Sequence, residues 1–267
     1  MSRSKNSKKN DLYLPLLVGG RRREILVPGP KLGWEWKEQG TQMLVLPQAQ
    51  AQWKQSSALW RSVLLRRRSE VLSTGLPKFW DPEDSPKNVE LLENEALEGY
   101  QPSATIKYDG QLMIRSVHAE TVHWRSRTHF TVDDSLRETL DSLIIQYPCL
   151  ADPSFHPQLS LQFELCSSQN RIVIEHVSSR LIFIGASENQ SLMPLPWSQI
   201  EDIAEEGKLF LAETRNLSGS TLKEWEDELA TMENIGEGLV LRDSDGDRKS
   251  TRLNSSHYAL SRMPSSA

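Results

Sequence analysis

Apolar and polar residues along this chain fall into short alternating runs more often than into long stripes, a pattern that predicts a sheet-rich protein. Trp60-Arg61-Ser62-Val63-Leu64-Leu65 reads as a strand, Arg66 to Ser69 as a turn, and Glu70-Val71-Leu72 as the returning strand. Thr105-Ile106-Lys107 reads as another strand, and the Asp109-Gly110 turn predicts a hairpin with Gln111 to Val117. There Gly110 is expected to supply a positive φ. Further strands are expected at Glu120 to Arg125, Leu159 to Leu165, Arg171 to His176, Leu181 to Ile184 and Glu237 to Arg242. One helix is capped by Asp133 or Asp134, carries Leu136, Leu140, Leu143, Ile144 and Tyr147 on one face, and stops at Pro148. A second, Ser198 to Glu206, opens with a capping box from Ser198 to Glu201 and ends at Gly207. A third, Thr221 to Glu233, turns Leu222, Trp225, Leu229 and Met232 inward, and a short helical piece at Val89 to Leu97 lies in a charged, proline-containing linker from Pro82 to Gly99. The sum is an α+β fold of mostly antiparallel sheets with flanking helices.

Residues 1–58 are poorly patterned. They read as an accessory segment with a frayed basic start, a breaker at Pro28-Gly29-Pro30, and Trp34 and Trp36 on one side of a strand. At the other end, Asp247-Arg248-Lys249-Ser250-Thr251-Arg252-Leu253 and the serine-rich residues that follow resemble the in-frame translation of a sequencing adapter. The resemblance implies a natural sequence ending near Gly246 and a non-native tail at 247–267. Between them, 59–246 is expected to form one domain. Removing the tail's +3 takes the formal charge from −5 to −8, so global charge gives no support for nucleic-acid binding and a case for it must rest on a local site. Usage is that of an ordinary water-soluble protein, with 37% apolar and 25% charged residues and no apolar run near the roughly 18 residues that cross a bilayer. Only Cys149 and Cys166 are present, which argues against a disulfide framework and for a reducing cytoplasm.

The chemistry centres on Lys107-Tyr108-Asp109-Gly110. A lysine amine attacks an electrophile only once unprotonated, which nearby cations, a metal or desolvation can bring about. The string alone is equally compatible with a surface lysine at a hairpin. Lys107, Glu164 and Glu237 each lie at a strand end or inside an alternating strand, so a sheet could gather one amine and two carboxylates in one cleft. That grouping suits nucleotidyl transfer, with Arg61, Lys78, Arg125 and Arg127 available to neutralise phosphates. His118, His123 and His129 fit no familiar zinc spacing. Arg21 to Arg23 and Arg66 to Arg68 read as solvated loops or as contacts to RNA phosphates. There is no glycine-rich phosphate loop.

In their order along the chain these motifs resemble the covalent nucleotidyltransferases, and within them the bacteriophage T4 RNA ligase 1 type. Lys107-Tyr108-Asp109-Gly110 is similar to the family's KxDG motif and Glu237-Gly238-Leu239-Val240 to its EGxV motif. Trp60-Arg61-Ser62, Pro77-Lys78-Phe79-Trp80, Phe163-Glu164 and Asn170-Arg171-Ile172-Val173 are similar to its remaining stretches. The resemblance implies the ligase adenylation fold, with ATP and Mg²⁺ or Mn²⁺ as cofactors. It also implies RNA ends as partners, nicked tRNA among them, with no membrane and a monomer by default. It implies Lys107 as the residue that carries AMP, Glu164 on the ribose, Glu237 on the metal, Arg61 and Lys78 on the triphosphate, and Asp109 and Gly110 in the nucleotide-binding turn. Arg127 matches the basic residue of the next motif, and Phe183 is implied against the adenine. Thr128 and His176 depart from residues the family favours. The family's lysine-rich strand beyond Glu237 is not found, so the chain as given is expected to be impaired in the first step. A DNA ligase, a capping-type enzyme and a non-catalytic nucleotide-binding module are the alternatives.

Overall fold

The computed structural model describes residues 11–78, 94, 103–167, 176–216, 224, 227, 238–242 and 252–253. The chain opens with β1 (Leu12–Val18) and β2 (Arg21–Val27), followed by β3 (Trp34–Gln39), β4 (Gln42–Pro47), the single turn α1 (Gln55–Ala58), β5 (Val63–Arg66) and β6 (Glu70–Ser73). Next come β7 (Ser103–Lys107), β8 (Gln111–His118), β9 (Thr121–Ser126), α2 (Asp134–Ile144), β10 (Leu159–Cys166), β11 (Arg180–Glu188), α3 (Trp197–Gly207), β12 (Thr214–Asn216), β13 (Gly238–Arg242) and β14 (Arg252–Leu253). The expected strand at 171–176, the helices at 89–97 and 221–233, and the linker lie mainly outside the described residues.

The strands pair antiparallel as four sheets, in the orders β1-β2, β3-β4-β5-β6, β11-β10-β8-β9 and β12-β7-β13-β14. This is the expected α+β architecture. Residues 1–10 lie outside the described residues, and within the segment read as a frayed start β1 and β2 form a hairpin. Leu14, Leu16 and Val27 are buried on its inner face, and Gly19 and Gly20, both at positive φ, make the primed turn that matches strand twist. The hairpin covers one face of the second sheet, where Trp34, Met43, Val45, Trp60, Val63 and Leu65 form a core. Its other face buries Leu44, Leu46, Leu64 and Leu72, with Phe130 packed on them. Because β4 pairs with β5, this sheet crosses residue 58. Arg252 and Leu253, inside the stretch expected to be a tail, pair with β13.

The third sheet holds the largest core, roofed by α2 and α3. Leu136, Leu140 and Leu143 recur at helical spacing and point into it, each worth roughly 1.5–3 kcal/mol when fully buried. Helix α3 begins one residue before its expected start. Pro196 takes the N-cap without a side-chain bond, so the Ser198 to Glu201 capping box does not form. Cys149 and Cys166 are free thiols.

Candidate active site

Lys107 ends β7, and the following residues carry the chain into a different sheet. β7 pairs with β12 and β13, whereas β8 pairs with β9 and β10. The Asp109-Gly110 turn is therefore a corner between sheets and not the expected hairpin. Gly110 is absent from the glycines at positive φ, and its role is close approach. A Cβ there would stand 2.5 Å from the Leu165 carbonyl oxygen, so the turn lies directly across β10. Asp109 is 3% exposed, and its carbonyl is 2.6 Å from His176 Nε2, which can donate to it.

This corner sets Lys107 next to the other groups singled out by sequence. Glu164, on β10 opposite Leu112, is half-buried. Burial pushes its carboxyl up to about 7; Lys107, Arg127 and Arg61 pull it back down, and Asp109 pushes it further up. One amine, two carboxyls and two guanidiniums therefore share one electrostatic neighbourhood. Cys166 borders it, its thiol pushed up to about 12 by burial first, then by Glu164 and Asp109, which keeps it protonated. Gly238, the chain neighbour of Glu237, pairs with Lys107. Glu237 itself lies outside the described residues.

Arg61, Lys78 and Arg127 line one cleft of about 540 Å³. Sequence reasoning missed its opposite wall. Glu35 and Lys37 of β3, with Trp53, come from the segment expected to be accessory. Lys37 Nζ donates to the Thr128 carbonyl at 3.4 Å, and Lys78 Nζ stands 5.3 Å from the Trp53 ring centroid. The alternation of Trp34 and Trp36 with Glu35 and Lys37 marked the outward face of β3, but nothing local told what it faced.

Two expectations are corrected. Arg125 does not line this cleft. It is 2% exposed, and its guanidinium bonds Ser73 Oγ at 2.6 Å, Ser62 Oγ at 2.7 Å and the Ser62 carbonyl at 2.6 Å. Burial lowers its pKa to about 9, which leaves it charged at neutral pH. Phe183 offers no surface to an adenine. It is 0% exposed in the core, with its ring 5.1 Å from that of Phe163. His118 and His123 stack at 3.4 Å, and no group of three His, Cys, Asp or Glu among the described residues could hold a metal.

The profile of a family described as RNA ligase matches residues 59–259. The chain belongs to that family. Solved structures of proteins described as RNA or DNA ligases share the fold. A protein of Aquifex aeolicus described as an ATP-dependent DNA ligase is 15% identical with TM-score 0.60, covering 88% of this chain and 65% of that one. Naegleria gruberi RNA ligase, in a structure with AMP and Mn, is 13% identical with TM-score 0.55, covering 69% and 57%. An archaeal ATP-dependent RNA ligase is 14% identical with TM-score 0.52, covering 92% and 59%. The chain thus spans less than two thirds of the length of each of these three proteins. No curated protein matches it.

Proposed function

We propose that this member of the RNA ligase family is the adenylating part of an ATP-dependent RNA ligase that joins 5′-phosphate to 3′-hydroxyl RNA ends. The observation that carries the reading is that Glu164 feels Lys107, Asp109, Arg127 and Arg61 together, beside a cleft lined by cations. Lys107 Nζ attacks the α-phosphorus of ATP, the bond to pyrophosphate breaks, and the amine loses its proton as the lysyl-AMP bond forms. The RNA 5′-phosphate then displaces the lysine to give a pyrophosphate-linked AMP, and the 3′-hydroxyl of the second end displaces AMP to close the phosphodiester. Arg61, Lys78 and Arg127 hold the β- and γ-phosphates, Asp109 and Gly110 fix the turn behind the nucleophile, and Glu164 accepts from the ribose hydroxyls.

ATP, with Mg²⁺ or Mn²⁺, fits this donor set, because carboxylate oxygens suit hard divalent ions. Glu237, next in the chain to the residue paired with Lys107, would hold the ion, which offsets phosphate charge. The catalytic unit begins near residue 59, with the segment before it as an accessory wall of the cleft. The substrates are RNA ends, nicked tRNA among them. Two free thiols favour a cytoplasmic setting.

The test is incubation of the chain with Mg²⁺ and α-labelled ATP. The expected result is an acid-labile label on the protein that disappears in Lys107→Ala, and sealing of nicked RNA in preference to nicked DNA. A label that persists in Lys107→Ala overturns the nucleophile. Nucleotide binding without any label supports a non-catalytic module instead.

A further inference from the structure

Three hairpin tips meet around a second cleft of about 390 Å³, away from the one that holds Arg61 and Lys78. Its lining includes Arg22 from the β1-β2 hairpin, Ser69 and Glu70 from the β5-β6 turn, and His118 and Ala119 from the β8-β9 turn. Burial first, then His123 and Arg66, hold the His118 imidazole down to about 4, which places Arg66 near it. Arg22 of the first arginine triplet lines this depression, and Arg66 of the second, more than forty residues on, stands near the His118 that lines it.

Each tip is a tight reversal through the left-handed region. Gly19 and Gly20 supply it without cost in the first, but in the second Arg67 and Arg68 take φ values of 50° and 55°. Such positions ordinarily go to Gly or Asn, and the third tip likewise carries Ala119 and Glu120 at 51° and 55°. Arg66 is paired with Glu70, and Arg68 with Glu38. Glu24 and Glu120 are also exposed nearby. Arg21, Arg22, Arg23 and Arg67 are all exposed, so the surface is locally basic on a protein of net charge −5.

Strand geometry ties this surface to the cleft beside Lys107. β5 begins at Val63, next to Ser62 in that cleft, and reaches Arg66 at the tip, and β9 runs from Thr121 at the tip to Ser126, next to Arg127 in the cleft. The first path is four residues, about 13 Å, and the second, from Thr121 to Ser126, is five, about 17 Å. Tyr13 is 51% exposed on the same hairpin face as Arg22, a position suited to stacking on a base.

We propose that the three hairpin tips form a second binding site for single-stranded RNA, holding backbone phosphates of the strand whose end enters the cleft beside Lys107. The proposal rests on the ligase reading for the strand's identity. The hairpin lies outside the span matched by the family, so this grip on the strand belongs to the chain's own N-terminal segment.

The test is an anisotropy titration of the full chain with a fluorescent, 5′-phosphorylated single-stranded RNA at several salt concentrations. The variants are one carrying Arg21→Ala, Arg22→Ala and Arg23→Ala together, and its triple Arg→Lys counterpart. Affinity is expected to fall at least tenfold in the alanine variant. The slope of log affinity on log salt should become shallower by about 2, at about 0.7 per phosphate contact on a single strand. The lysine variant should recover most of both, and ATP labelling of Lys107 should be equal in all three. Unchanged RNA affinity and slope with labelling intact would sink the tip site and leave the ligase reading standing. A loss of RNA affinity in a protein that never labels would sink the ligase reading and leave the tip site standing. An equal loss toward a polyglutamate probe would overturn the assignment to RNA.

Discussion

Arg125 holds Ser62 by two bonds at once, its guanidinium donating to the serine hydroxyl at 2.7 Å and to the serine carbonyl at 2.6 Å. Ser62 sits at φ 66°, its hydroxyl in turn donates to the Arg127 carbonyl, and a Cβ on Gly75 would stand 2.8 Å from the Arg61 carbonyl. The buried cation therefore fixes both cleft arginines, Arg61 and Arg127, through the backbone beside each. Replacement Arg125→Met should cost about 2–4 kcal/mol in urea unfolding, because buried acceptors lose a charged donor. Arg125→Lys should recover part of it. A cost under about 1 kcal/mol would mean the clamp is not holding.

Glu164 sets a pH dependence of stability. Its carboxyl is raised from 4.5 to about 7 in the fold, so between those values the folded chain holds a proton that the unfolded chain has released. Stability conferred by this group is full below about 4.5 and declines as the pH rises to 7. Glu164→Gln should remove that decline, gaining on the parent by on the order of 2 kcal/mol between pH 4.5 and 7.5. Parallel unfolding curves for the two proteins across this range would contradict it.

Gly110→Ala places a methyl carbon against the Leu165 main chain, which has no flexible end to move aside. The expected loss is about 1–3 kcal/mol of stability. A displaced corner also carries Lys107 with it, and a misplacement near 1 Å lowers the rate of labelling by on the order of 10²-fold. Unchanged labelling in a folded variant would show that the close approach does not position the amine.

Lys37→Met tests the wall that sequence reasoning missed. Lys37 makes one long contact, to the Thr128 carbonyl, so stability should change by less than about 0.5 kcal/mol. If its ammonium also meets phosphate, the ATP concentration for half-maximal labelling should rise about tenfold, which corresponds to about 1.4 kcal/mol. An unchanged ATP requirement would confine Lys37 to the rim.

Periodicity made the local elements legible. Leu136, Leu140 and Leu143 mark α2, and the alternation of Leu159 to Leu165 marks β10. The motif order identified the family, but no periodicity could say that β7 and β8 belong to different sheets, because the Asp109-Gly110 turn reads like a hairpin until Leu165 is seen against it. Arg125 and Arg127 look equivalent two residues apart on a strand. Yet β9 ends at Ser126, so the first points into the protein and the second leaves at the rim. Phe183 misled for a related reason. Both faces of β11 are covered near its middle, so alternation there does not separate ligand side from core side. The first hairpin was obscured by Pro15 and by three arginines that break the apolar period of β2.

The ladder between β4 and β5 bears on how such enzymes can exchange parts. Met43, Leu44 and Val45 pair with Leu65, Leu64 and Val63, so a recombination joint placed where the family match begins would cut through hydrogen-bonded neighbours and bare the edge of β5. A workable joint lies upstream, near Gly33, where both partner strands travel together. The heritable module is then larger than the sequence motifs suggest, and Lys37 is inherited with the cations it faces.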